Sequence, residues 1–536
     1  MKKLTDYLVA LNKMESRPDV ARFCAGAALV ILAVSFVPDL ILVMDFSRPY
    51  QLAQFSQDEY WFMEAILQLQ NAFLVGDWHA IRDFGSPFAY GFPFWLITAL
   101  IALPTHAHAM LMALFLRFLF IVTKYAAFYV VYRRILALTQ KPLLSLLSLA
   151  LMLIVPAFVF DDKVVSPEFL IMLLLATCWS LLFLSSRRAQ VGAAFVFALA
   201  LTIKFNVAPL GLFFPVVLFT RPAKQRLDLL CNWIFGAVVP LLLFLVPAHP
   251  FKEILAVGAT HGIDYGFEYL APWYSANVLE FDDVLIGGWS IDFLSWPLFL
   301  FLSGYALYRA IADKPKNRTA LTFLIVGTFF IAVLVCFMTS LTSLMHPWFV
   351  FAPFLLMMGA GSLLIGTGRE ATAVMLAFFL IYGASFGERY LARWQHRIDK
   401  FETIAASESD NAEASEWIAR NCPQAREGVI DYNLIWPAAY DRQLKKMWTI
   451  IEVEDYRRAY QDATVLLDKI DLLLIKTDRM RAISQSMGPL STGPMELPGM
   501  VLGNFFPNSA PYFAWQHDFP QLSIFAREGA CKKGGS

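Results

Sequence analysis

The chain has 536 residues, of which 58% are hydrophobic and only 16% are charged, and its 43 basic residues balance its 43 acidic ones. Soluble domains carry about 45–50% apolar and about 25% charged residues, so the excess here is typical of helices that face lipid. Balanced charge provides no overall field that would attract nucleic acid. The composition predicts a polytopic membrane protein and excludes disordered, collagen-like and disulfide-scaffold proteins.

Apolar runs and basic clusters together predict the topology. A run of about 18 or more apolar residues can cross a bilayer as a helix, and Lys/Arg clusters in short loops stay cytoplasmic. The basic N-terminus precedes the first span without a small-residue cleavage site, so we expect a retained first helix and a cytoplasmic N-terminus. Eleven predicted spans lie at about 23–44, 109–132, 142–159, 169–186, 190–203, 207–220, 228–247, 292–309, 319–339, 348–367 and 371–387.

The apolar run 92–104 is shorter than the others. If it crossed the membrane, Arg133 and Arg134 would lie outside, so we predict that it lies in the outer interface.

The opposite, outer side receives the polar insertions 45–108, 160–168, 248–291 and 340–347. Composition changes sharply after Phe386, so we predict a transmembrane domain at 1–387 and a second domain at 388–536. Helix-like stretches at 412–420 and 456–468 alternate with strand-like stretches at 428–432, 472–476 and 522–526. The expected fold is an α-helical membrane protein with about 11 spans and a small C-terminal α/β domain in the periplasm.

Two cysteines, Cys422 and Cys531, fall in the predicted outer domain. An oxidising compartment favours a disulfide between them, which would join the start of the domain to its last strand. Sequence alone gives no check on their distance, so free thiols remain the alternative.

An acidic pair, Asp58 and Glu59, lies in the first outer loop and is followed by Tyr60. Adjacent carboxylates beside a membrane can supply a general base, a cation ligand or both. The alternative is a helix start, because aspartate is a good N-cap residue and an acid in the first turn suits the helix dipole.

A second acidic group includes Asp161, Asp162 and Glu168. Glu168 follows Pro167 at the start of a span, where it would point toward any cleft between helices. Loop solubility is the better explanation for the two aspartates, and the helix dipole is the alternative explanation for Glu168.

Basic residues are few on the outer side, and they include Lys204, His261 and His346. The phosphate of a lipid needs such cations, although a snorkelling lysine and interfacial histidines are the alternatives. Aromatic residues of the same loops, among them Tyr60, Trp78 and Tyr90, can stack on sugar rings. An interfacial aromatic belt explains most of the aromatic residues there.

The order and sidedness of these motifs resemble the GT-C superfamily of integral-membrane glycosyltransferases, nearest the aminoarabinose-to-lipid A and protein O-mannosyl transferase branch. The matching segments are Asp58–Glu59–Tyr60, Gly76–Asp77–Trp78, Pro93–Phe94–Trp95, Pro156 with Glu168, Lys204, His346–Pro347, Glu416–Trp417–Ile418 and Asn421–Cys422–Pro423.

The resemblance implies transfer of a sugar from a polyprenyl-phosphate donor to a hydroxyl on a lipid, glycan or protein, at the periplasmic face of the bacterial inner membrane. By the same resemblance Asp58 is the general base, Glu59 supports it and Glu168 is the second acid. If a divalent cation (Mg or Mn) is used, Asp58 and Glu168 are its expected ligands.

The remaining site residues are expected to bind the substrates. Lys204, with His346 and His261, is predicted to bind the donor phosphate, whereas Tyr60, Trp78 and Tyr90 are predicted to contact substrate.

One departure from the family pattern concerns the sugar. The aminoarabinose transferases place a lysine just before the Pro-aromatic stretch, whereas Gly91 and Phe92 stand there in this chain. The difference argues against aminoarabinose as the sugar and lipid A as the acceptor.

Three other functions compete with glycosyl transfer. A transporter or flippase for lipid-linked glycans predicts charged groups at the bilayer midplane and broken helices. An O-antigen ligase predicts arginines in the outer loops, where Arg48 and Arg82 lie. A non-catalytic scaffold that displays the C-terminal domain leaves only the helix-start explanation for the acidic pair.

Overall fold

The computed structural model describes residues 2–43, 57–84, 90–155, 158–159, 165–246, 304–305, 308, 324–333, 351–366, 368, 370–425, 427–431, 447–451, 471–476, 513–520 and 522–532. Several predictions fall outside these ranges: Arg48, Pro156, Asp161, Asp162, His261, His346, the loops 248–291 and 340–347, most of the span 292–309, and the helix-like stretch 456–468.

The first part of the chain is helical. Its helices are α1 (Lys2–Glu15), α2 (Pro18–Val43), α3 (Gln57–Val75), α4 (Trp78–Arg82), α5 (Phe92–Ile101), α6 (Ala109–Thr139), α7 (Pro142–Leu153), α8 (Pro167–Leu182), α9 (Arg187–Ile203), α10 (Phe213–Thr220), α11 (Ala223–Phe244), α12 (Leu324–Val333), α13 (Phe351–Gly366) and α14 (Ala371–Asn421). Three segments among the described helices are long and apolar enough to cross a membrane: Pro18–Ile41, Leu111–Thr139 and Ala223–Phe244.

Helices occupy most of the described part of each predicted span, although α7 ends at Leu153 and α8 at Leu182, before the predicted ends at 159 and 186. The span 207–220 begins as the 3₁₀ helix Phe205–Leu212 before α10. Pro209 lies inside that 3₁₀ helix, and its missing amide hydrogen explains why a regular α-helix is delayed. The short apolar run forms α5, whose 10 residues extend about 15 Å, half of the ~30 Å hydrocarbon core. Helix α5 therefore cannot cross a bilayer by itself.

Helix α9 packs between α8 and α11, and α8 also packs on α6. Close approach of α11 to α9 depends on Gly236, because a Cβ atom there would lie 2.3 Å from the carbonyl oxygen of Val191. Small residues at such crossings let backbones approach, as is common in membrane helix pairs. Helices α8 and α9 carry the two charged residues of the candidate site.

The contacts of the chain divide it into two compact units. One unit comprises Met1–Asp45 and Ala65–Arg397, and the other comprises Phe46–Glu64 and Ile398–Ser536. The boundary predicted after residue 387 falls inside α14, which continues to Asn421. Good helix formers continue past that point, so the fall in hydropathy does not end the helix.

A five-stranded sheet belongs to the second unit. Its strands are β1 (Glu427–Asp431), β2 (Met447–Ile451), β3 (Leu472–Lys476), β4 (Phe513–Asp518) and β5 (Leu522–Arg527), in the order β2-β1-β3-β5-β4. Strand β1 pairs in parallel with β2 and β3, whereas β5 pairs antiparallel with β3 and β4. The three predicted strands correspond to β1, β3 and β5.

The end of α14 packs on this sheet. Ile418 and Cys422 are buried with Leu472, Leu474 and Ile524 in one apolar core. Cys422 and Cys531, which are 109 positions apart in the sequence, form a disulfide. The bond joins the helix end to the segment after β5.

Candidate active site

Glu168 lies in the first turn of α8, and the local sequence explains why the helix begins there. Ser166 is the N-cap in an extended conformation, and its Oγ accepts a hydrogen bond from the Glu168 amide at 3.4 Å. Pro167 follows, in the first turn, where its missing amide hydrogen costs nothing. The Ser166 hydroxyl also donates to the carboxylate of Glu168. This cap holds the carboxylate at the helix N-terminus, where Glu168 is only 4% exposed.

Lys204 directly follows α9 as its C-cap residue, and its positive charge lies beside the carboxylate of Glu168. Its amide donates to the Ala200 carbonyl at 3.1 Å, and its extended backbone stops the helix. The Lys204 ammonium forms an ion pair with the carboxylate of Glu168. Because Lys204 is 9% exposed, the pair has lost most of its water, and each charge depends on the other.

Tyr90, two residues before α5, is the third member of the buried group formed with Glu168 and Lys204. Its hydroxyl oxygen lies 3.4 Å from Oε1 of Glu168 and 3.5 Å from Nζ of Lys204. The Lys204 ammonium also lies 4.9 Å from the centre of the Tyr90 ring, a cation–π distance. Lys204 therefore contacts both the ring and the hydroxyl of one tyrosine.

Gly91 positions Tyr90 against the end of α9. The Gly91 amide donates to the Ile203 carbonyl at 2.9 Å. A Cβ atom at Gly91 would lie 1.8 Å from the carbonyl oxygen of Thr202, so only glycine fits this approach. The close backbone approach thus explains why this chain has a glycine at position 91, where a lysine of the aminoarabinose transferases was considered above.

The acidic pair lies in the first turn of α3, which begins at Gln57. The side chains of Asp58, Glu59 and Tyr60 fall outside the described part of the structure. Their assignment as base, supporting acid and substrate contact stays a prediction.

Trp78 lies apart from the buried group. It begins α4 and is 72% exposed. The preceding Asp77 caps α4, because its Oδ1 accepts from the Ala80 amide at 3.0 Å. Gly76 has a φ of 72°, a left-handed value that favours glycine. The Gly-Asp-Trp motif therefore forms a turn and a helix cap in this chain.

No group of three His, Cys, Asp or Glu within the described residues is arranged to hold a metal ion. Glu168, one of the two expected ligands, instead faces an ammonium and two hydroxyl groups. A Mg or Mn site at Asp58 and Glu168 stays a prediction.

A second buried ionic group was missed at the sequence level. Asp39 of α2 accepts hydrogen bonds from Lys124, Tyr125 and Arg397, and we name these four residues the Asp39 cluster. Asp39 and Lys124 lie inside predicted spans, and an ionisable residue within a membrane helix is by itself a signal of function or pairing. That signal was present in the sequence.

Comparison with family models and with curated protein sequences finds no match. Among solved structures, ArnT from Cupriavidus metallidurans in the apo state aligns at 13% identity with a TM-score of 0.51, over 94% of this chain and 98% of that chain. The Archaeoglobus fulgidus oligosaccharyltransferase in complex with Zn and sulfate aligns at 11% identity with a TM-score of 0.50, over 93% and 73%. Both are GT-C membrane glycosyltransferases.

The chain has the GT-C fold. The resemblance inferred from the order of short motifs is thereby confirmed at the level of the fold. ArnT bound to undecaprenyl phosphate also aligns, at 12% identity and a TM-score of 0.48, over 96% of this chain and 99% of that chain. In the GT-C fold of this chain, the buried ion pair lies where the start of α8 meets the end of α9.

Proposed function

We propose that this protein is a glycosyltransferase that moves a sugar from a polyprenyl-phosphate donor to a hydroxyl of a lipid, glycan or protein. The reaction takes place at the periplasmic face of the inner membrane, where the head group of such a donor emerges. The observation that carries the proposal is the buried group of Glu168, Lys204 and Tyr90 within a GT-C fold.

Lys204 is suited to bind the donor phosphate. Phosphate oxygens accept strong, charge-assisted hydrogen bonds from an ammonium, and these bonds gain strength where water is excluded. The Glu168 carboxylate lies beside Lys204, in the position that a phosphate would take. A phosphate that approaches the ammonium takes over its ion pair, so the lysine stays paired, and the displaced carboxylate keeps its hydrogen bonds from Ser166 and Tyr90. His261 and His346 are proposed to add further donors.

The chemistry assigned to this site conserves charge and protons. The acceptor hydroxyl oxygen forms a bond to the anomeric carbon while the bond from that carbon to the phosphate oxygen breaks. The phosphate leaves with the electron pair beside Lys204, and the hydroxyl proton passes to Asp58. A carboxylate base contributes about 10²- to 10⁴-fold. A single base on the face opposite the phosphate inverts the anomeric centre.

The remaining predicted residues have supporting roles in this proposal. Glu59 supports Asp58, Tyr60 and Trp78 contact the sugar or acceptor, and Tyr90 orients Lys204. Glu168, the second acid, holds the Lys204 ammonium in place for the arriving phosphate. If a Mg or Mn ion takes part, Asp58 and Glu168 provide the carboxylate oxygens that such hard cations prefer.

Purified protein in detergent provides the test. Release of free polyprenyl phosphate is followed from a set of polyprenyl-phosphate sugars in the presence of a membrane extract. We expect release by the wild type and at least a 100-fold slower rate for Asp58→Asn, Glu168→Gln and Lys204→Met.

Matched control variants separate site chemistry from general damage. Asp77→Asn keeps the cap of α4, since asparagine caps as well as aspartate, and Lys224→Met removes an exposed lysine of α11. Both controls are expected to retain wild-type rates. Wild-type rates in both Asp58→Asn and Glu168→Gln would overturn the assignment of the two acids.

One observation favours the transporter alternative. That alternative predicts charged groups at the bilayer midplane and broken helices, and the 3₁₀ segment at 205–212 fits the expectation of a broken helix. Movement of a labelled polyprenyl-phosphate sugar across proteoliposomes, without release of polyprenyl phosphate, would favour it over glycosyl transfer.

A further inference from the structure

The Asp39 cluster joins three helices that are distant in sequence. Nζ of Lys124 on α6 lies 2.9 Å from Oδ2 of Asp39, and Nη1 of Arg397 on α14 lies 2.6 Å from Oδ1. The Tyr125 hydroxyl donates to the same carboxylate at 2.8 Å. Asp39, Lys124 and Arg397 are 2%, 4% and 2% exposed, so the carboxylate and the two cations that it contacts are all buried.

Lys124 has a second set of contacts, which lead to the candidate active site. Its ammonium donates to the carbonyl oxygen of Phe158 at 2.6 Å and lies 5.8 Å from the centre of the Phe169 ring. Phe158 belongs to the segment between α7 and α8, and Phe169 directly follows Glu168. One ammonium therefore contacts Phe158, ten residues before Glu168, and Phe169, the residue directly after it.

Aromatic packing also holds Phe158 in place. The Phe158 ring lies 4.8 Å from the Phe128 ring and 5.8 Å from the Phe354 ring, both edge-to-face. Phe128 is one helical turn after Lys124 on α6. The backbone at Phe158 is thus fixed by its ring through packing and by its carbonyl through Lys124.

We infer that Lys124 is a positioning residue for Glu168, and that Asp39 and Arg397 fix Lys124 in place for that role. The inference rests on the proposed role of Glu168 in glycosyl transfer. Lys124 acts through the backbone of Phe158 and the ring of Phe169, and Asp39 orients its ammonium toward them. Loss of Lys124 would therefore displace the first turn of α8 while leaving the donor-binding lysine in place.

Lys124→Met is the suitable test variant. It leaves Asp39 paired with Arg397, a neutral pair, so the buried charge of the cluster falls to zero and the protein is expected to fold. Lys141→Met is the matched control, because Lys141 also donates to a backbone carbonyl, that of Gly368, at 2.7 Å. Lys124→Arg keeps the charge and is expected to restore part of the activity.

A double-mutant cycle on transfer by purified protein distinguishes positioning from general damage. We expect Lys124→Met to lower kcat about 10-fold or more with less than a 3-fold change in the donor KM. In the Glu168→Gln background the same change is expected to have less than a 2-fold effect on kcat, because its target is already lost. Equal effects of Lys124→Met in both backgrounds would overturn the inference.

Hydrogen exchange supplies a readout that does not depend on activity. Peptides that cover residues 165–172 are expected to exchange at least 5-fold faster in Lys124→Met than in the wild type or in Lys141→Met. Unchanged exchange there would overturn the positioning role. If Glu168→Gln instead transfers sugar at the wild-type rate, the proposed function of Glu168 fails, and the exchange measurement still decides whether Lys124 positions this turn.

Discussion

Two buried carboxylates of the helical unit are neutralised in opposite ways. Asp39 accepts hydrogen bonds from two cations and one tyrosine hydroxyl. Among the described residues, Glu168 forms an ion pair with Lys204 and accepts hydrogen bonds from the hydroxyl groups of Ser166 and Tyr90. Both sites are buried, but in the described part of the chain the Glu168 ion pair lies at the ends of two helices, whereas the Asp39 cluster joins two cations to one carboxylate.

Because their partners differ, the Glu168–Lys204 pair can exchange one anion for another, whereas the Asp39 cluster holds helices together. An anion that reaches Lys204 replaces Glu168 and leaves no cation unpaired. Loss of the Asp39 carboxylate leaves two buried cations facing each other, which carries a large desolvation cost. The first arrangement suits ligand binding, whereas the second suits a fixed geometry between α2, α6 and α14.

The largest expected effect comes from Asp39→Asn. This change removes the counter-charge of Lys124 and Arg397, so we expect a loss of about 3–5 kcal/mol in the free energy of unfolding. Thermal unfolding in detergent and the yield of monodisperse protein are the measurements. Asp228→Asn, an exposed change on α11, is expected to leave both unaltered. An unchanged thermal unfolding midpoint in Asp39→Asn would show that the Asp39 carboxylate does not hold the helices together.

Glu168→Gln is expected to affect rate more than stability. The amide keeps hydrogen-bonding capacity toward Ser166 and Tyr90, and Lys204 retains its cation–π contact with Tyr90. We expect the transfer rate to fall about 100-fold or more, with a smaller drop in the unfolding midpoint than in Asp39→Asn. Kinetics and thermal unfolding on the same preparations measure both. If Glu168→Gln unfolds as readily as Asp39→Asn, the contrast between the two sites is wrong.

Gly91→Ala tests the backbone approach that carries Tyr90 to the end of α9. The added methyl would lie 1.8 Å from the Thr202 carbonyl oxygen, so the two segments must separate. We expect a loss of about 1–3 kcal/mol in stability and slower transfer. Gly26→Ala is the matched control, because nothing lies within 4 Å of its added methyl. Equal stability of the two variants would contradict the close approach at Gly91.

Tyr90→Phe should have the smallest effect. The variant keeps the ring beside Lys204 and loses only the hydroxyl, whose hydrogen bonds are long at 3.4 and 3.5 Å. One such hydrogen bond contributes about 0.5–1.5 kcal/mol, which corresponds to roughly 2- to 10-fold in rate. Tyr90→Leu also removes the ring and should be slower still in the same assay. Equal rates for the Phe and Leu variants would show that the ring contributes nothing to Lys204.

Much of the helical layout follows from local sequence signals. Apolar run length locates the membrane helices, and Ser166 with Pro167 marks the residue at which α8 begins. Glu168 and Lys204 were identified because a charge at the end of an apolar run is costly and therefore informative. These signals lie within about 20 residues of the features that they predict.

Contacts between distant segments could not be predicted in the same way. The approach of Gly91 to Ile203 joins residues more than a hundred positions apart, and apolar periodicity does not specify which helix faces meet. The Asp39 cluster likewise needs three helices at known rotations. Strand β4, at an edge of the sheet, is exposed or half-buried at residues 514–518, whereas β5 is buried at all but its last residue.

The tight backbone approach at Gly91 also constrains the evolutionary routes open to this protein. A lysine just before the Pro-aromatic stretch could not be regained by one substitution, because the Thr202 carbonyl blocks any side chain at position 91 and Phe92 is itself buried. At least one compensating change at the end of α9 would have to come first. The choice of residue at position 91 is thus tied to a pair of backbone segments, and related proteins should change there together.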